Sequence, residues 1–284
     1  MSKVIVITGT SSGFGKLTAL TLAADGHAVV ATMRDTEGKN KDVADELAKA
    51  DNIEVVEMDV AQSLSVDTAF GYILKKYGSV DVLINNAGVT GFGVAEGYSI
   101  EGYKKMFEIN FYGPVRTYQA VLPSMRAARQ GLVINLSTGA SGFAVPYMVP
   151  YMASKFALET FIEGIDSELR DFNIENVSVP CGVYPTGMGE KGGFNADRED
   201  IPAGYPDFEQ RLGDLGKTFY SKVEEFKMDP QTIADGIKAL VDMEKGARPL
   251  RYPLDAIAQG TDQEFITAKR KIKRKWASKY GMDI

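Results

Sequence analysis

Two residues four positions apart have the right chemistry to move a proton together. Tyr151 and Lys155 fall on one helical stripe, which comprises Tyr151, Lys155, Leu158, Ile162, Ile165 and Leu169. A phenol of ordinary pKa is only about one part in a thousand ionised at pH 7, and a neighbouring ammonium shifts it toward the working range. The spacing predicts an acid/base pair; the alternative is a snorkelling lysine at the end of a core helix.

A glycine-rich turn follows the first apolar run of the chain. It contains Gly9, Ser11, Ser12, Gly13, Phe14 and Gly15, and a helical segment begins at Lys16. Glycines let the backbone turn tightly and approach a pyrophosphate, while the free amides of a helix N-terminus bind the anion. The turn predicts a dinucleotide site; the alternative is a plain strand-to-helix turn. A magnesium-nucleotide loop is excluded, because Leu17 follows Lys16 where Ser or Thr must ligate the metal.

The same turn also contains the pattern of a hydrolase nucleophile elbow. Gly9-x-Ser11-x-Gly13 would need an imidazole base, and on that fold the histidine comes late in the chain. The only histidine is His27, just before the second predicted strand. The sequence therefore favours the dinucleotide site over a serine hydrolase.

Alternating strands and helices must position these residues. Apolar, β-branched runs predict buried parallel strands near 4–8, 28–32, 53–57, 80–84, 132–136 and 176–179. The segments between them are long enough for crossover helices, so we expect one doubly wound α/β domain over 1–284, with helices on both faces of the sheet. From 187 to about 228 the periodicity fails, which is typical of a substrate lid. A helical segment, 229–284, completes the chain.

Composition excludes several classes of protein. A net charge of -6 argues against nucleic acid as a partner, because phosphate binding requires a cationic surface. With one cysteine, Cys181, and one histidine, neither an internal disulfide nor a zinc cluster is expected, and we predict no metal site. No run of apolar residues is long enough for a signal peptide or a membrane span. These features predict a cytoplasmic protein.

The last predicted helix, about 262–280, is rich in Lys and Arg. Its cations could form a basic patch for a membrane or RNA. The alternative, which we favour from the sequence, is a docked surface helix, because an apolar stripe at helical spacing would face the body and leave the cations in solvent. That stripe comprises Phe265, Ala268, Ile272 and Trp276.

Four motifs in order resemble the short-chain dehydrogenase/reductase family. They are Thr8-Gly-x3-Gly-x-Gly15, Asn85-Asn86-Ala87-Gly88, Asn110 and Tyr151-x3-Lys155. The resemblance implies a Rossmann-type sheet, with Tyr151 transferring the substrate proton and Lys155 bonding the nicotinamide ribose and lowering the phenol pKa. It implies that Asn110 holds a water linked to Lys155. A buried amide on a helical stripe must find partners in any case, so a satisfied core asparagine is the alternative.

The resemblance also assigns further positions, and two of them depart from the family pattern. The third catalytic residue, usually serine, is Thr138, while Ser137 should point to the opposite face and Ser141 should lie beyond the strand. Cys181-Gly182 replaces the usual Pro-Gly. The implied cofactor contacts are the glycine-loop residues, Asp59, Val60, Asn86, Ala87, Gly88, Tyr151, Lys155, Val183 and Thr186.

The end of the second strand predicts the cofactor. NAD-preferring relatives carry an acidic residue there, but this chain has Met33 followed by Arg34, which could bind a 2′-phosphate through charge-assisted bonds. NADP is therefore expected, with NAD as the alternative. Asp35 opposes this conclusion, because it could bind a ribose or neutralise Arg34.

Aromatic residues near the catalytic segment and in the lid predict the substrate class. Phe92, Phe143, Tyr147 and Met148 flank the catalytic segment, and the lid contains Phe194, Tyr205, Phe208, Phe219, Tyr220 and Phe226. They suit a bulky, mostly apolar alcohol or ketone, or else only pack the lid on the body. Three further segments resemble 17β-hydroxysteroid and retinol dehydrogenases and their bacterial relatives most: Ala31–Asp35, Tyr151–Glu159 and Pro249–Leu254. A 3-oxoacyl thioester reductase and a catalytically silent dinucleotide sensor are the alternatives.

The family resemblance also predicts a homo-oligomer. Ala153, Ala157, Phe161 and Gly164 lie on the face of the Tyr151 helix away from the catalytic stripe, where small residues permit close packing. This helix and the one from Gly102 should pair across a two-fold axis, giving a homodimer or homotetramer.

Overall fold

The protein is built on one parallel sheet of six strands. The computed structural model describes residues 2–139, 142–188 and 193–282. The strands run in the spatial order β3-β2-β1-β4-β5-β6, which confirms the doubly wound prediction. They are β1 Val4–Thr8, β2 Ala28–Met33, β3 Ile53–Glu57, β4 Val82–Asn85, β5 Gly131–Thr138 and β6 Ile174–Cys181.

Helices cover both faces of this sheet, as the crossover connections require. They are α1 Gly13–Ala24, α2 Lys41–Leu47, α3 Ser63–Tyr77, α4 Ile100–Phe107, α5 Gly113–Ala128, α6 Val149–Leu169, α7 Phe208–Glu225, α8 Gln231–Asp242 and α9 Thr261–Lys279. A π-helical turn, Glu108–Tyr112, joins α4 to α5. The segment from Leu250 to Leu254 extends the sheet along β6 through main-chain hydrogen bonds to Ser178 and Pro180.

The strands are apolar on both sides because both faces of the sheet are covered. In β1, Ile5 and Ile7 pack into one core and Val6 packs into the other. The first core lies under α1, α2 and α8, and the second under α3 and α5. Each strand thus contributes side chains to the cores on both faces of the sheet.

A buried polar network lies inside the second half of the sheet. Asn85 of β4 donates to Asn135 of β5 (2.9 Å), and Tyr118 of α5 donates to Asn176 of β6 (2.6 Å). Asn135 also donates to the Tyr118 hydroxyl (2.8 Å). These amides satisfy one another, so they specify the register of three adjacent strands at little desolvation cost.

The lid predicted at 187–228 contains a long helix, which the sequence interpretation missed. Helix α7 turns four half-buried apolar residues, Phe208, Leu212, Leu215 and Phe219, toward the body. Two glycines of the same helix, Gly213 and Gly216, have low helix propensity and made the helical period hard to recognise in the sequence. Positions 189–192 of the lid lie outside the described residues.

The prediction that α9 docks through its apolar stripe is wrong. Phe265, Ile272 and Trp276 are exposed, and so is Ala268. The helix contacts the body through the buried Ala277, through ion pairs from Lys269 and Lys273 to Glu163 of α6 and, at one end of the stripe, through the Phe265 ring against Phe143. Neighbouring charges, not the apolar period, decide which face docks. None of the described helices is long and apolar enough to cross a membrane.

Candidate active site

Tyr151 lies in the first turn of α6, against the carboxyl end of β5. Burial raises the pKa of the Tyr151 phenol to about 12, and a hydrogen bond with the Thr138 side chain opposes this rise. A buried phenol with a high pKa is protonated at neutral pH, so it is ready to donate a proton to a substrate oxygen.

Lys155 is one turn further along α6 and only 5% exposed. Its ammonium donates to the Leu136 carbonyl of β5 (2.9 Å). Burial lowers the pKa of Lys155 to about 8, although Cys181 and Glu159 act in the opposite direction. Burial is the largest influence on the pKa of both groups, and the lowering of the phenol pKa by this lysine stays a prediction. The snorkelling alternative is excluded, since the ammonium points into the protein.

Asn110 occupies the π-helical turn between α4 and α5 and is fully buried. Its side-chain oxygen accepts from the Val89 amide (2.9 Å), and its amide nitrogen donates to the Val89 carbonyl (2.9 Å) and the Ser154 hydroxyl (3.0 Å). Isolated π turns often occur at functional sites. The Asn110 side chain thus connects the segment after β4 to α6. These bonds satisfy its amide, as expected for a buried structural asparagine, and its role in holding a water stays a prediction.

The register counted back from Tyr151 brings Thr138, not Ser137, to the phenol. The Ser137 hydroxyl is buried and has no hydrogen-bond partner among the described residues, as expected for a side chain on the other face of β5. Ser141 lies outside the described residues. Sequence counting therefore found the residue whose side chain acts on the pKa of the phenol, and its catalytic role stays a prediction.

The glycine loop fits tightly against the segment that follows β4. A side chain at Gly9 would lie 2.8 Å from the Ala87 Cα, and one at Gly15 would lie 2.5 Å from the Gly9 carbonyl oxygen. The Asn86 amide nitrogen donates to the Thr8 and Gly9 carbonyls (2.8 and 2.9 Å), and the Ala87 N–H donates to the Thr8 hydroxyl (2.9 Å). Asn86 and Ala87 thus hold the loop in shape.

The N-terminus of α1 has the properties of an anion site. Its first residue is Gly13, and Ser12 in the capping position makes no side-chain hydrogen bond to the first-turn amides. Those amides are oriented toward the glycine loop and carry the positive end of the helix dipole. Thr186 approaches the same loop, since a side chain at Gly13 would lie 3.2 Å from its Cβ.

At the end of β2, the two charged residues have different surroundings. Arg34 is exposed, and its guanidinium makes no hydrogen bond or ion pair within the described ranges. The Asp35 carboxylate accepts from the Lys39 amide (3.0 Å) and is turned into the 35–39 turn. Asp35 therefore does not neutralise Arg34, which was the main argument against a 2′-phosphate at this position.

The remaining predicted cofactor contacts also lie at the carboxyl ends of the strands. After β3, the Asp59 carboxylate accepts from the Ala61 amide (2.9 Å), and Val60 packs against Gly113. Gly88 lies beside Asn110 and Lys155. Val183 is exposed just after β6. All these segments follow the carboxyl ends of the strands, the side of such a sheet on which ligands bind in a crevice.

A strap formed by residues 194–198 runs along the segment that follows β4. Phe194 and Ala196 donate main-chain hydrogen bonds to Thr90 (2.8 Å) and Phe92 (3.2 Å). Further along the lid, the ring of Phe208 packs edge-on against Tyr147, with centroids 5.4 Å apart. The other lid aromatics divide: Phe219 and Phe226 are half-buried, while Tyr205 and Tyr220 are exposed. Only part of the predicted aromatic set therefore faces the body.

Asp255 is a residue of the site region that sequence reasoning missed. Its half-buried carboxylate accepts from the Ile257 amide (3.0 Å) and lies against both Gly139 and Gly182. Burial raises the pKa of this carboxyl. It thus fixes the two backbone segments that follow β5 and β6. No local motif marks it, because the contact depends on the C-terminal segment folding back.

His27 is placed for neither hydrolysis nor metal binding. It lies at the start of β2, at the opposite end of the sheet from Ser11. Its Nδ1 accepts from the Lys3 amide (3.3 Å), which leaves the proton of the neutral ring on Nε2, facing Asp25. Asp25 and Asp242 lie close to this ring, but Lys238 already pairs with both carboxylates (3.1 and 2.5 Å). The cluster is an ion-pair network.

Comparisons with known proteins agree with this geometry. A family model described as short chain dehydrogenase matches residues 3–195. A 3-ketodihydrosphingosine reductase of Bacteroides thetaiotaomicron is 38% identical over 186 residues, which are 66% of this chain and 65% of that protein. Retinol dehydrogenase 8 of Bos taurus is 35% identical over 251 residues, 87% of this chain and 79% of that protein.

Solved structures are similar over most of the chain. A short-chain dehydrogenase from Streptomyces avermitilis has a TM-score of 0.79 and 30% identity, covering 100% of this chain and 99% of its own. An alcohol dehydrogenase from the archaeon Thermococcus sibiricus, complexed with 5-hydroxy-NADP, has a TM-score of 0.71 and 26% identity, covering 89% of this chain and 96% of its own.

Proposed function

This chain belongs to the short-chain dehydrogenase family, and we propose that it is an NADP-dependent oxidoreductase that interconverts a bulky, mostly apolar secondary alcohol and its ketone, or an aldehyde. The observation that carries the proposal is the buried ammonium of Lys155, which donates to the Leu136 carbonyl of β5 (2.9 Å) one turn along α6 from Tyr151 and two residues before Thr138. Tyr151, Lys155 and Thr138 all lie at the carboxyl end of β5.

In the reductive direction, the chain's own residues handle the proton and the developing charge. The Tyr151 phenol donates its proton to the substrate oxygen, and the Thr138 hydroxyl hydrogen-bonds the same oxygen as negative charge develops. Lys155 returns a proton toward the tyrosine while it is an ammonium. The bound nicotinamide would supply the hydride. Because burial lowers the pKa of Lys155 to about 8, we expect the reduction rate to fall as pH rises above that value.

The cofactor would lie along the carboxyl ends of β1 to β4. The uncapped N-terminus of α1 fits the pyrophosphate, and Asp59, Val60 and Gly88 would border the adenine and ribose. Arg34 forms no ion pair among the described residues and fits a 2′-phosphate, because the neighbouring Asp35 carboxylate accepts from the Lys39 amide. The similarity to a structure complexed with 5-hydroxy-NADP supports this choice.

An apolar substrate is supported by the residues around the cleft and by two relatives. The Phe194 strap is bonded to the segment after β4, and the Tyr147–Phe208 pair joins the lid to the segment just before Tyr151. The compounds in the names of the two relatives, retinol and 3-ketodihydrosphingosine, are largely hydrocarbon. A 3-oxoacyl thioester reductase, the second candidate, would act on a polar-headed substrate with a long acyl chain.

A cofactor-consumption screen tests the proposal directly. We expect NADPH oxidation with apolar ketones drawn from retinoids, steroids and aromatic ketones, and little with acyl thioesters. Tyr151→Phe is the control, because it should bind cofactor without turnover. Activity with acyl thioesters alone would favour the second candidate. Tight cofactor binding with no turnover of any substrate would make the chain a dinucleotide sensor.

The cofactor preference has its own test. Arg34→Asp should weaken NADP binding by about 1.5 to 3 kcal/mol, the usual loss for a charged hydrogen bond, while leaving NAD binding the same or better. Lys49→Asp, the same charge change at an exposed position after α2, is the matched control. Affinities measured by fluorescence titration should separate for Arg34→Asp only. An unchanged NADP/NAD ratio would show that the phosphate is held elsewhere.

A further inference from the structure

Helix α9 is attached to the body through charge. The Glu163 carboxylate of α6 pairs with Lys269 (3.3 Å) and Lys273 (2.8 Å) of α9, and also with Arg251 (2.6 Å). Ala277 is the buried residue of the helix. The face of α9 that touches the protein is therefore largely a row of ion pairs.

The apolar stripe of α9 lies beside that docked face and is left in solvent. Ile272 is 67% exposed and Trp276 is 50% exposed, with Phe265 and Tyr280 exposed on either side of them. These residues recur at 7, 11 and 15 positions from Phe265, so they form one line along the helix. Single exposed apolar residues are ordinary on protein surfaces, but an aligned row of large ones marks an interaction site.

Positive charge surrounds the stripe. The helix contains seven Lys and Arg residues against Asp262 and Glu264, although the whole chain carries a net charge of -6. Lys271, Lys275 and Lys279 are exposed and form no ion pair within the described part of the chain. By helical spacing they follow the open side of the stripe. The molecule therefore concentrates its positive charge on the helix that also exposes its largest apolar side chains.

The stripe is continuous with the loop beside the catalytic residues. The Phe265 ring packs edge-on against Phe143, with centroids 6.1 Å apart, and Phe143 follows Thr138 in the β5–α6 connection. Gly142 permits this approach, since a side chain there would lie 2.1 Å from the Phe265 ring. A surface that covers the stripe would thus also adjoin the mouth of the cleft.

We propose that α9 is a peripheral docking helix for an anionic lipid bilayer. Trp276, Ile272 and Tyr280 would enter the headgroup region, and the three unpaired lysines would contact anionic headgroups, the arrangement of helices that lie in a membrane surface. A second copy fits less well, because a two-fold contact through this face would bring the cations of both helices together. An RNA would use the lysines but leave the stripe uncovered. The proposal does not rest on the catalytic assignment.

Trp276 supplies a direct readout, because it is the only tryptophan of the chain. The full-length protein is titrated with phosphatidylcholine vesicles and with vesicles containing one third phosphatidylglycerol, and binding is also measured by co-sedimentation. We expect a shift of Trp276 emission to shorter wavelength and co-sedimentation with the anionic vesicles only. Moderate salt should weaken binding, since the attraction is partly electrostatic.

Two variants separate the apolar and charged contributions. Lys271→Gln/Lys275→Gln/Lys279→Gln should lower partitioning about a hundredfold, because each cation near an anionic surface contributes roughly fivefold. Ile272→Asn should lower it at least tenfold by removing an inserted side chain. Leu64→Asn, the same kind of change at an exposed aliphatic residue of α3, should have no effect. The three lysines and Ile272 all lie in solvent, so these substitutions should leave the fold unchanged. Circular dichroism of each variant checks this.

Each remaining outcome is decisive. Equal binding to both kinds of vesicle, or to neither, overturns the proposal. So does a loss confined to the lysine variant, which would mean that the stripe is not inserted. If sedimentation without vesicles shows that Ile272→Asn dissociates an oligomer while vesicle binding is unchanged, the stripe is an interface between copies and the lipid assignment is wrong.

Discussion

Helices α6 and α9 carry apolar residues at the same helical period, yet one buries its stripe and the other exposes it. In α6, Leu158 and Ile162 are essentially inaccessible to solvent, whereas Ile272 of α9 is largely exposed. The helical period of the apolar residues identifies only the face of the helix on which they lie. Whether that face docks depends on what the neighbouring elements offer, and α6 offers α9 a carboxylate, not an apolar surface.

The two helices are also attached by forces of different kinds. Helix α6 is held by apolar burial against β5 and β6 and carries Tyr151 and Lys155 of the proposed catalytic site. Helix α9 is held by the pairs of Glu163 with Lys269 and Lys273, which are partly exposed and screened by salt. We therefore expect changes in α6 to affect catalysis and global stability, and changes in α9 to affect only its docking.

The largest effect should come from the catalytic residue of α6. Tyr151→Phe should lower kcat by about a hundred- to ten-thousandfold, because it removes the proton donor, while cofactor affinity stays the same. Lys155→Ala should impair both kcat and cofactor affinity. Steady-state kinetics and cofactor titration measure the two effects. Full activity of Tyr151→Phe would refute the mechanism.

The next effect concerns the hydroxyl that contacts Tyr151. Thr138→Ala should lower kcat by about a hundred- to a thousandfold, the usual loss for one donor to a developing oxyanion, whereas Thr138→Ser should stay active. Ser137→Ala is the matched control on the opposite face of β5 and should be nearly silent. The reverse order, with Ser137→Ala inactive, would mean that the register of β5 at the active site is wrong by one residue.

A pair of identical substitutions compares the two helices directly. Ile162→Ala should destabilise the protein by about 2 to 5 kcal/mol, because it opens a cavity in a filled core. Ile272→Ala should change the free energy of unfolding by less than about 0.5 kcal/mol, as is usual for an exposed site. Urea denaturation measures both. Similar losses in the two variants would contradict the burial difference on which the comparison depends.

The smallest effect should come from the attachment of α9, and it should depend on pH. Burial opposes ionisation of Glu163, but hydrogen bonds from Lys273 and Arg251 outweigh it and lower the pKa of this carboxyl from 4.5 to about 2. A carboxyl whose pKa is lowered by folding stabilises the folded state at pH values above its unfolded pKa. This stabilisation is lost as pH falls from about 4.5 toward 2. Glu163→Gln should therefore cost about 1 to 3 kcal/mol at pH 6 and progressively less below pH 4.

Urea denaturation of the wild type and the variant at both pH values tests this prediction. Glu168→Gln, at an exposed position of the same helix, should match the wild type throughout. A stability gap between wild type and Glu163→Gln that is the same at pH 6 and pH 3 would show that the carboxylate charge does not hold α9.

The predicted oligomer remains a prediction. Ala153, Ala157 and Phe161 are half-buried on the outer face of α6, and Gly164 has open space around it. Such a face could receive a second copy at close range. Sedimentation at micromolar concentration tests this, and a monomer there would contradict the homodimer or homotetramer.

The sequence predicted the elements whose signals are local. All six strands were predicted because buried parallel strands are continuous apolar runs bounded by turns, and the glycine loop was predicted because its function depends on a few adjacent residues. Thr138 was found by counting back from Tyr151 to the position at which the family resemblance implies a serine. In contrast, α7 was missed because its glycines weaken a period that only packing on the body completes.

What the sequence by itself determined is therefore the order of strands and helices, the dinucleotide loop and the Tyr151, Lys155 and Thr138 set. Tertiary structure alone decided which face of α9 docks, that Asp35 turns away from Arg34, and that Asp255 lies behind Gly139 and Gly182. The physical reason is one of range. Hydrophobic period and turn chemistry act between residues near in sequence, whereas ion pairs and buried carboxylates depend on partners up to about a hundred positions away, whose proximity exists only after the chain has folded.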